Sequence, residues 1–174
     1  AQQPLAFQPG TRWEYSIGID VLGAVIERVL DKSLDQVFQE RVFDPLGMTD
    51  TFFIVPEHRL SELADCYSYS DDNPLQLFDP GKQSVFGPRT DRTFAGGGGL
   101  VSTLHDYFRF AEMLRLDGSF QGVEILPPTI LQMMKRNHLG REIADMGPTS
   151  FAEMPMEGIG FGLGGAVVLD PKRS

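Results

Sequence analysis

Leu22, Val25, Ile26 and Val29 recur at i, i+3, i+4 and i+7, so an α-helix carries all four on one face, and that face needs an apolar partner. The stripe predicts a helix from about Ile17 to Leu30, packed into a core through it. A second helix is expected from Ser33, whose hydroxyl can accept from the Gln36 amide while the Gln36 side chain reaches back in a capping box. Leu34, Val37, Phe38 and Val42 then face inward. Pro45 is expected to end that helix, since the residue before a proline is pushed out of helical geometry. From Leu46 to Thr93 the periodicity dissolves into short pieces broken by Asp71-Asp72-Asn73-Pro74 and Asp79-Pro80-Gly81. These read as turns in a long irregular excursion.

Helical spacing returns after Gly96-Gly97-Gly98-Gly99. Ser102 or Thr103 is expected to cap a helix whose core stripe is Leu104, Tyr107, Phe108, Ala111 and Leu114, with Asp117-Gly118 closing it. Pro127-Pro128 opens a further helix, because proline is tolerated where the amide has no intrahelical partner. Ile130, Leu131, Met133 and Met134 supply its apolar side. Ile159 to Leu169 reads as one strand meeting a turn at Asp170-Pro171. A hairpin partner usually follows a strand directly, so the returning strand is expected beyond Ser174. No segment repeats with a period of 20 to 50 residues.

Charge narrows the partners. Fifteen Lys plus Arg against 24 Asp plus Glu give a net charge of -9 in 174 residues, which repels nucleic-acid phosphates and anionic lipid. The best basic patch is only Pro171-Lys172-Arg173, so neither nucleic acid nor a membrane surface is an expected partner. No apolar run approaches the ~20 residues of a membrane span. Ala1-Gln2-Gln3-Pro4 has neither the basic nor the apolar region of a signal peptide, which leaves cytoplasmic and periplasmic or secreted locations both open. Cys66 is the single cysteine, excluding an internal disulfide and a cysteine zinc cage. It is expected to be a half-buried structural thiol.

Nucleophilic catalysis needs an attacking group, a base and an oxyanion cradle. Gly-x-Ser-x-Gly is absent, and no serine has a lysine three positions on. His58, His105 and His138 stand far apart in sequence without a His-Glu-x-x-His frame, so each is expected to be a surface or capping histidine and no metal site is expected. The glycine run lacks the Lys-Ser/Thr ending of a phosphate loop and reads as a close-packed backbone turn. His138-Leu139-Gly140 reads as a helix end. Pro9-Gly10-Thr11-Arg12-Trp13-Glu14-Tyr15-Ser16 differs from all of these: a turn delivers an aromatic pair to the start of an amphipathic helix, leaving the Tyr15 hydroxyl free to project. Taken alone, that pattern also fits a buried tyrosine with one hydrogen bond.

The stretch Pro9-Gly10-Thr11-x-Trp13-x-Tyr15-Ser16, followed by Asp20-Val21-Leu22-Gly23-x-Val25-Ile26-Glu27, resembles the tyrosine motif of the serine beta-lactamase-like superfamily, especially its class C-like esterases. Phe43-Asp44-Pro45-Leu46-Gly47-Met48-Thr49-Asp50-Thr51 agrees in order with the same family, as do Gly97 to Phe110 and Gly160-Phe161-Gly162-Leu163-Gly164. The likeness therefore runs from Pro9 to Gly164. It implies an α+β fold of the beta-lactamase/transpeptidase type, an antiparallel sheet flanked by helices with a helix-rich subdomain. On that reading residues 1–174 form a single partial domain: a tyrosine-motif segment and helix (1–30), a helical and loop region (31–157) and the start of the returning sheet (158–174).

The resemblance also implies a chemistry. In that family a serine of a Ser-x-x-Lys motif attacks an acyl carbonyl, and the lysine and tyrosine share the proton work. A phenol of ordinary pKa ~10 becomes a usable base when a cationic lysine favours its anion. Tyr15 matches the tyrosine and is the expected catalytic residue. Ile17 stands where class C lactamases and DD-peptidases carry a substrate-contacting Asn, a departure that removes two donors and an acceptor and favours the esterase branch. The expected function is a serine hydrolase of small esters or amides, needing no cofactor and of bacterial source. Ser-x-x-Lys and the Lys-Thr-Gly-like strand are expected outside these residues, making this piece inactive alone. Alternatives are a non-catalytic binding relative, a beta-lactamase or D-amino-acid peptidase, and a stand-alone truncated domain that self-associates through an exposed strand edge.

Overall fold

The computed structural model describes residues 4–89, 93–147, 150–151 and 154–171. Ala1-Gln2-Gln3 and the basic pair Lys172-Arg173 lie outside the described residues. The chain divides into two compact units, Ile19–Glu112 and Ala1–Gly18 with Met113–Ser174.

The first unit is built on helices. Helix α1 spans Gly18–Leu30, within a residue of the expected start. Its packed side is Asp20, Gly23, Glu27 and Leu30. Of the predicted core stripe only Ile26 is partly buried, and the rest lies on the other side: Leu22 and Val25 are half exposed and Val29 is 75% exposed. Periodicity records that a helix is two-faced but not which face its neighbours occupy. Here the neighbours choose the side where Gly23 lets backbone approach and Glu27 reaches out, its Oε1 accepting from the Leu34 amide at 2.8 Å.

Helix α2, Leu34–Phe38, begins after Ser33 with both arms of the expected capping box in place. Leu34 and Val37 are buried. Pro45 does not end this helix. The chain winds through a π-helical turn, Gln39–Phe43, into a short α3, Asp44–Leu46, and stops at Gly47 in the left-handed region (φ 64°). The wider winding makes room for the proline ring, which would otherwise meet the carbonyl one turn back. Phe43, Leu46, Met48, Phe53 and Val55 complete the core, with the Phe38 ring packed on those of Phe43 and Phe53, and Phe53 in turn on Phe94.

The excursion contains more order than its sequence suggests. A 3-10 helix, Glu57–Glu62, precedes an antiparallel hairpin of β1, Cys66–Ser68, and β2, Gln76–Asp79, closed by the expected turn, where Ser70 and Asn73 exchange backbone hydrogen bonds. Arg59 pairs with Glu62 and Asp50, and those hydrogen bonds hold its guanidinium above its ordinary value. Cys66 is exposed rather than half-buried, because this hairpin has no covering layer within its unit.

Thr103 caps α4, Leu104–Arg115, its hydroxyl accepting from the Asp106 amide at 3.2 Å. The expected stripe is again largely bare: Leu104 is 86% exposed and Tyr107 63%. The helix packs instead through Asp106, whose buried Oδ2 accepts from the Asp50 amide (2.7 Å) and the Thr51 hydroxyl (2.9 Å). Asp106→Ala strands two donors in the interior and is expected to cost about 3 kcal/mol. Asp106→Asn retains the acceptor and should recover most of that loss in a denaturation midpoint.

The second unit holds β3 (Ser119–Phe120) and β4 (Val123–Glu124), α5 (Pro128–Met134), β5 (Ser150–Phe151) and β6 (Met154–Pro155), and β7 (Ile159–Phe161) and β8 (Ala166–Val168). Each strand pair is an antiparallel hairpin. Asp117-Gly118 closes α4 as expected, the Gly118 amide bonding Met113 O, and Pro127-Pro128 opens α5. The expected single strand over 159–169 is in fact two. Gly162-Leu163-Gly164-Gly165 turns the chain, and Phe161 pairs with Ala166, so β7 finds its returning partner inside the chain. A glycine-rich centre in an apolar run signals a hairpin turn as readily as an interrupted strand. Met113, Leu131, Ile143, Met146 and Met156 are buried.

Candidate functional site

Gln8-Pro9-Gly10-Thr11 is a tight turn: the Thr11 amide and hydroxyl both bond Gln8 O. Proline ahead of a glycine at φ 85° is the signature of a type II turn. The chain leaves it with Arg12 over the Phe7 ring. Trp13 then anchors the segment. Its amide donates to Met146 O at 3.1 Å and its indole lies 5.5 Å from the Phe161 ring. Beneath it, a side-chain carbon on Gly147 would come within 2.5 Å of the Trp13 carbonyl oxygen.

Two residues on, Tyr15 is 70% exposed and Ile17 68%, both in the run-up to α1. The phenol expected to carry a proton is thus open at the surface of its unit rather than sealed in hydrocarbon. Ile17 presents a hydrocarbon surface and no hydrogen-bonding group beyond its backbone.

The glycine run holds backbone, in line with its close-packed reading. The Gly97 amide donates to Asp20 Oδ1 at 2.9 Å. A methyl carbon on Gly96 would overlap the Ile19 carbonyl oxygen and lie 3.3 Å from the Gly23 amide. Asp20 and Asp106 therefore do structural work that the sequence did not assign to them. The signal was present, since both sit inside the motifs that carry the resemblance.

His138 is a capping histidine, its ring bonding Met133 O and its amide Phe161 O. His105 accepts from Arg109 Nε, and His58 sits in the 3-10 helix. Among the described residues no three His, Cys, Asp or Glu side chains gather as a metal site, and no helix is long and apolar enough to cross a membrane.

Comparison with known proteins joins these features. The sequence matches the Beta-lactamase family over residues 1–173. The chain belongs to the beta-lactamase family. It is 40% identical to Protein Rv1367c of Mycobacterium tuberculosis, over 100% of this chain and 42% of that protein. It is 33% identical to lovastatin esterase of Penicillium rubens, over 96% and 43% respectively. Among solved structures it superimposes on EstCE1, a hydrolase with promiscuous acyltransferase activity, with a TM-score of 0.75 and 30% identity, covering 99% of this chain and 45% of that one. The chain thus spans less than half the length of these beta-lactamase-family relatives, which include esterases and acyltransferases. The α+β fold expected from the motifs is the fold of that family.

Proposed function

We propose that this chain is the tyrosine-bearing part of a serine esterase that works through an acyl-enzyme. The observation that carries the reading is the placement of Tyr15: a phenol open to solvent, on a segment anchored two residues earlier, in the position of the family's tyrosine motif. In the proposed cycle a serine hydroxyl attacks an ester carbonyl as its proton passes to the Tyr15 oxygen, which the cycle requires in its anionic form beside the family's lysine. Tyr15 returns that proton to the departing alkoxide as the carbon–oxygen bond breaks. Water then attacks the acyl-enzyme by the same route, releasing the carboxylic acid and restoring the serine. Ile17 leaves the substrate side apolar, which suits an ester better than a lactam or peptide amide needing hydrogen bonds.

No serine in these 174 residues has a lysine three positions on, so the reading requires both groups from sequence outside them. Two features support that requirement. The stripes of α1 and α4 are exposed, and an apolar cleft of about 350 Å³ opens among Phe38, Val42, Met48, Leu100 and Tyr107. Apolar surface on this scale belongs against more protein.

Labelling with a serine-directed fluorophosphonate tests the proposal. Stoichiometric modification is expected of the full-length protein and none of this chain alone. An unlabelled full-length protein would leave only the non-catalytic binding reading.

A further inference from the structure

We propose that the unit Ile19–Glu112 carries a binding site for a small organic cation, a primary alkylammonium, in a cavity of about 290 Å³ lined by α2, the π-turn and residues 51–54. The site does not rest on the role proposed for Tyr15. Its volume suits a small ligand, since small-molecule sites begin at about 300 Å³. One wall is polar, with Asp35, Gln36, Gln39 and Glu40 from α2 and the π-turn. The other is aromatic, with Phe43, Phe52, Phe53 and Phe94. Phe43 and Phe53 are buried, and the Phe94 ring lies 5.1 Å from that of Phe53, so packing sets this wall before anything enters.

Most polar groups of the cavity are already committed. Gln36 Oε1 accepts from the Ser33 amide, Gln39 Nε2 donates to Asp44, and the Thr51 hydroxyl donates to Asp106. Glu40 is paired with Lys32 at 2.6 Å. Asp35 is the exception. Its Oδ1 is shut off from solvent and accepts no hydrogen bond among the described residues. A buried acceptor without a donor is costly, and more so when it carries charge. An ammonium group answers both needs, with an N–H for the oxygen and a positive charge for the carboxylate. The torsion that turns a carboxylate is broad, so a rotation of Asp35 presents Oδ1 to a donor in the cavity.

The phenylalanines select the rest of the ligand. Ring faces attract a cation and bury a short alkyl chain, whereas a hydrated inorganic ion would gain nothing from them. This wall already takes one cation: the Arg59 guanidinium carbon lies 5.7 Å from the Phe52 ring centroid. That charge is answered by Asp50 and Glu62, as that of Lys32 is by Glu40. Of the two carboxylates lining the cavity, Asp35 is therefore the one without a cation among the described residues. A neutral acyl chain would fill the space and leave its oxygen unanswered.

Isothermal titration calorimetry of the full-length protein tests the site, using n-butylammonium chloride, 1-butanol and ammonium chloride at neutral pH and constant ionic strength. n-Butylammonium is expected to bind one to one with a Kd on the order of 1 mM or tighter. 1-Butanol, which lacks the charge, and ammonium, which lacks the chain, should each bind at least about 10-fold more weakly. Asp35→Asn keeps the shape and should weaken n-butylammonium by about 10-fold or more. Phe94→Leu should weaken it by about 3- to 30-fold. The comparison of the three probes on the wild-type protein holds whether or not a variant folds. No saturable binding of n-butylammonium, equal affinity for 1-butanol, or wild-type affinity in folded Asp35→Asn overturns the site. Unchanged affinity in folded Phe94→Leu overturns the aromatic part of the recognition.

Discussion

Replacing Tyr15 by Phe in the full-length protein is expected to lower kcat for a chromogenic ester by about 10²- to 10⁴-fold, the usual worth of a positioned acid–base group. KM should barely move, because the substitution removes a single oxygen and keeps the ring. For the same reason stability should change by no more than about 0.5 kcal/mol. The pairing of a large rate effect with a small stability effect is what separates a proton carrier from a packing residue. A rate within threefold of wild type would remove Tyr15 from the chemistry. Substituting Ile17 by Asn restores two donors and an acceptor next to the same backbone. Turnover of an amide or lactam relative to an ester should rise in that variant, measured as the ratio of the two kcat/KM values.

The second large effect is structural. Gly96→Ala places a methyl carbon onto the Ile19 carbonyl oxygen of α1 and 3.3 Å from the Gly23 amide. Both neighbours are helix backbone, which has no rotamer to yield. The helix or the loop must shift, at a cost of about 3 kcal/mol. That shift would also strain the bond from the Gly97 amide to Asp20. Gly98→Ala is the internal control, since a carbon there meets nothing within 4 Å, and it should stay within about 0.5 kcal/mol of wild type. Equal denaturation midpoints for the two variants would contradict the close packing of the glycine run on α1.

Both predictions concern features that a reading of the sequence treats very differently. The role expected of Tyr15 came from the resemblance; the turn ahead of the tyrosine was legible because turn chemistry is local, a proline followed by a glycine setting its own backbone angles whatever surrounds it. The limits of α1, the capping box at Ser33, the Thr103 cap and the proline start of α5 were legible for the same reason. Their hydrogen bonds close within four residues.

Pro45 misled because its usual effect assumes regular winding, and a π-turn upstream changed the winding. The apolar run from Ile159 misled because four residues, Gly162 to Gly165, reverse it into a hairpin. Gly160 in β7 and Gly162 at the turn lie against Asn137 and Met134, neighbours distant in sequence that the local pattern does not reveal. Trp13 had no visible role at all, since its partners Met146 and Phe161 are more than 130 residues away.

The amino-acid order alone determined where α1, α2, α4 and α5 begin and where the turn ahead of Trp13 lies, consequences of short-range backbone sterics and hydrogen bonding, while the resemblance of its motifs singled out Tyr15. Only the tertiary structure decided which side of α1 and α4 is packed, that Asp20 and Asp106 hold loops, and that Trp13 is pinned to a distant hairpin. An amphipathic pattern leaves the partner of each face unspecified, and a buried carboxylate or a stacked ring acquires its meaning from neighbours that the chain brings together only by folding.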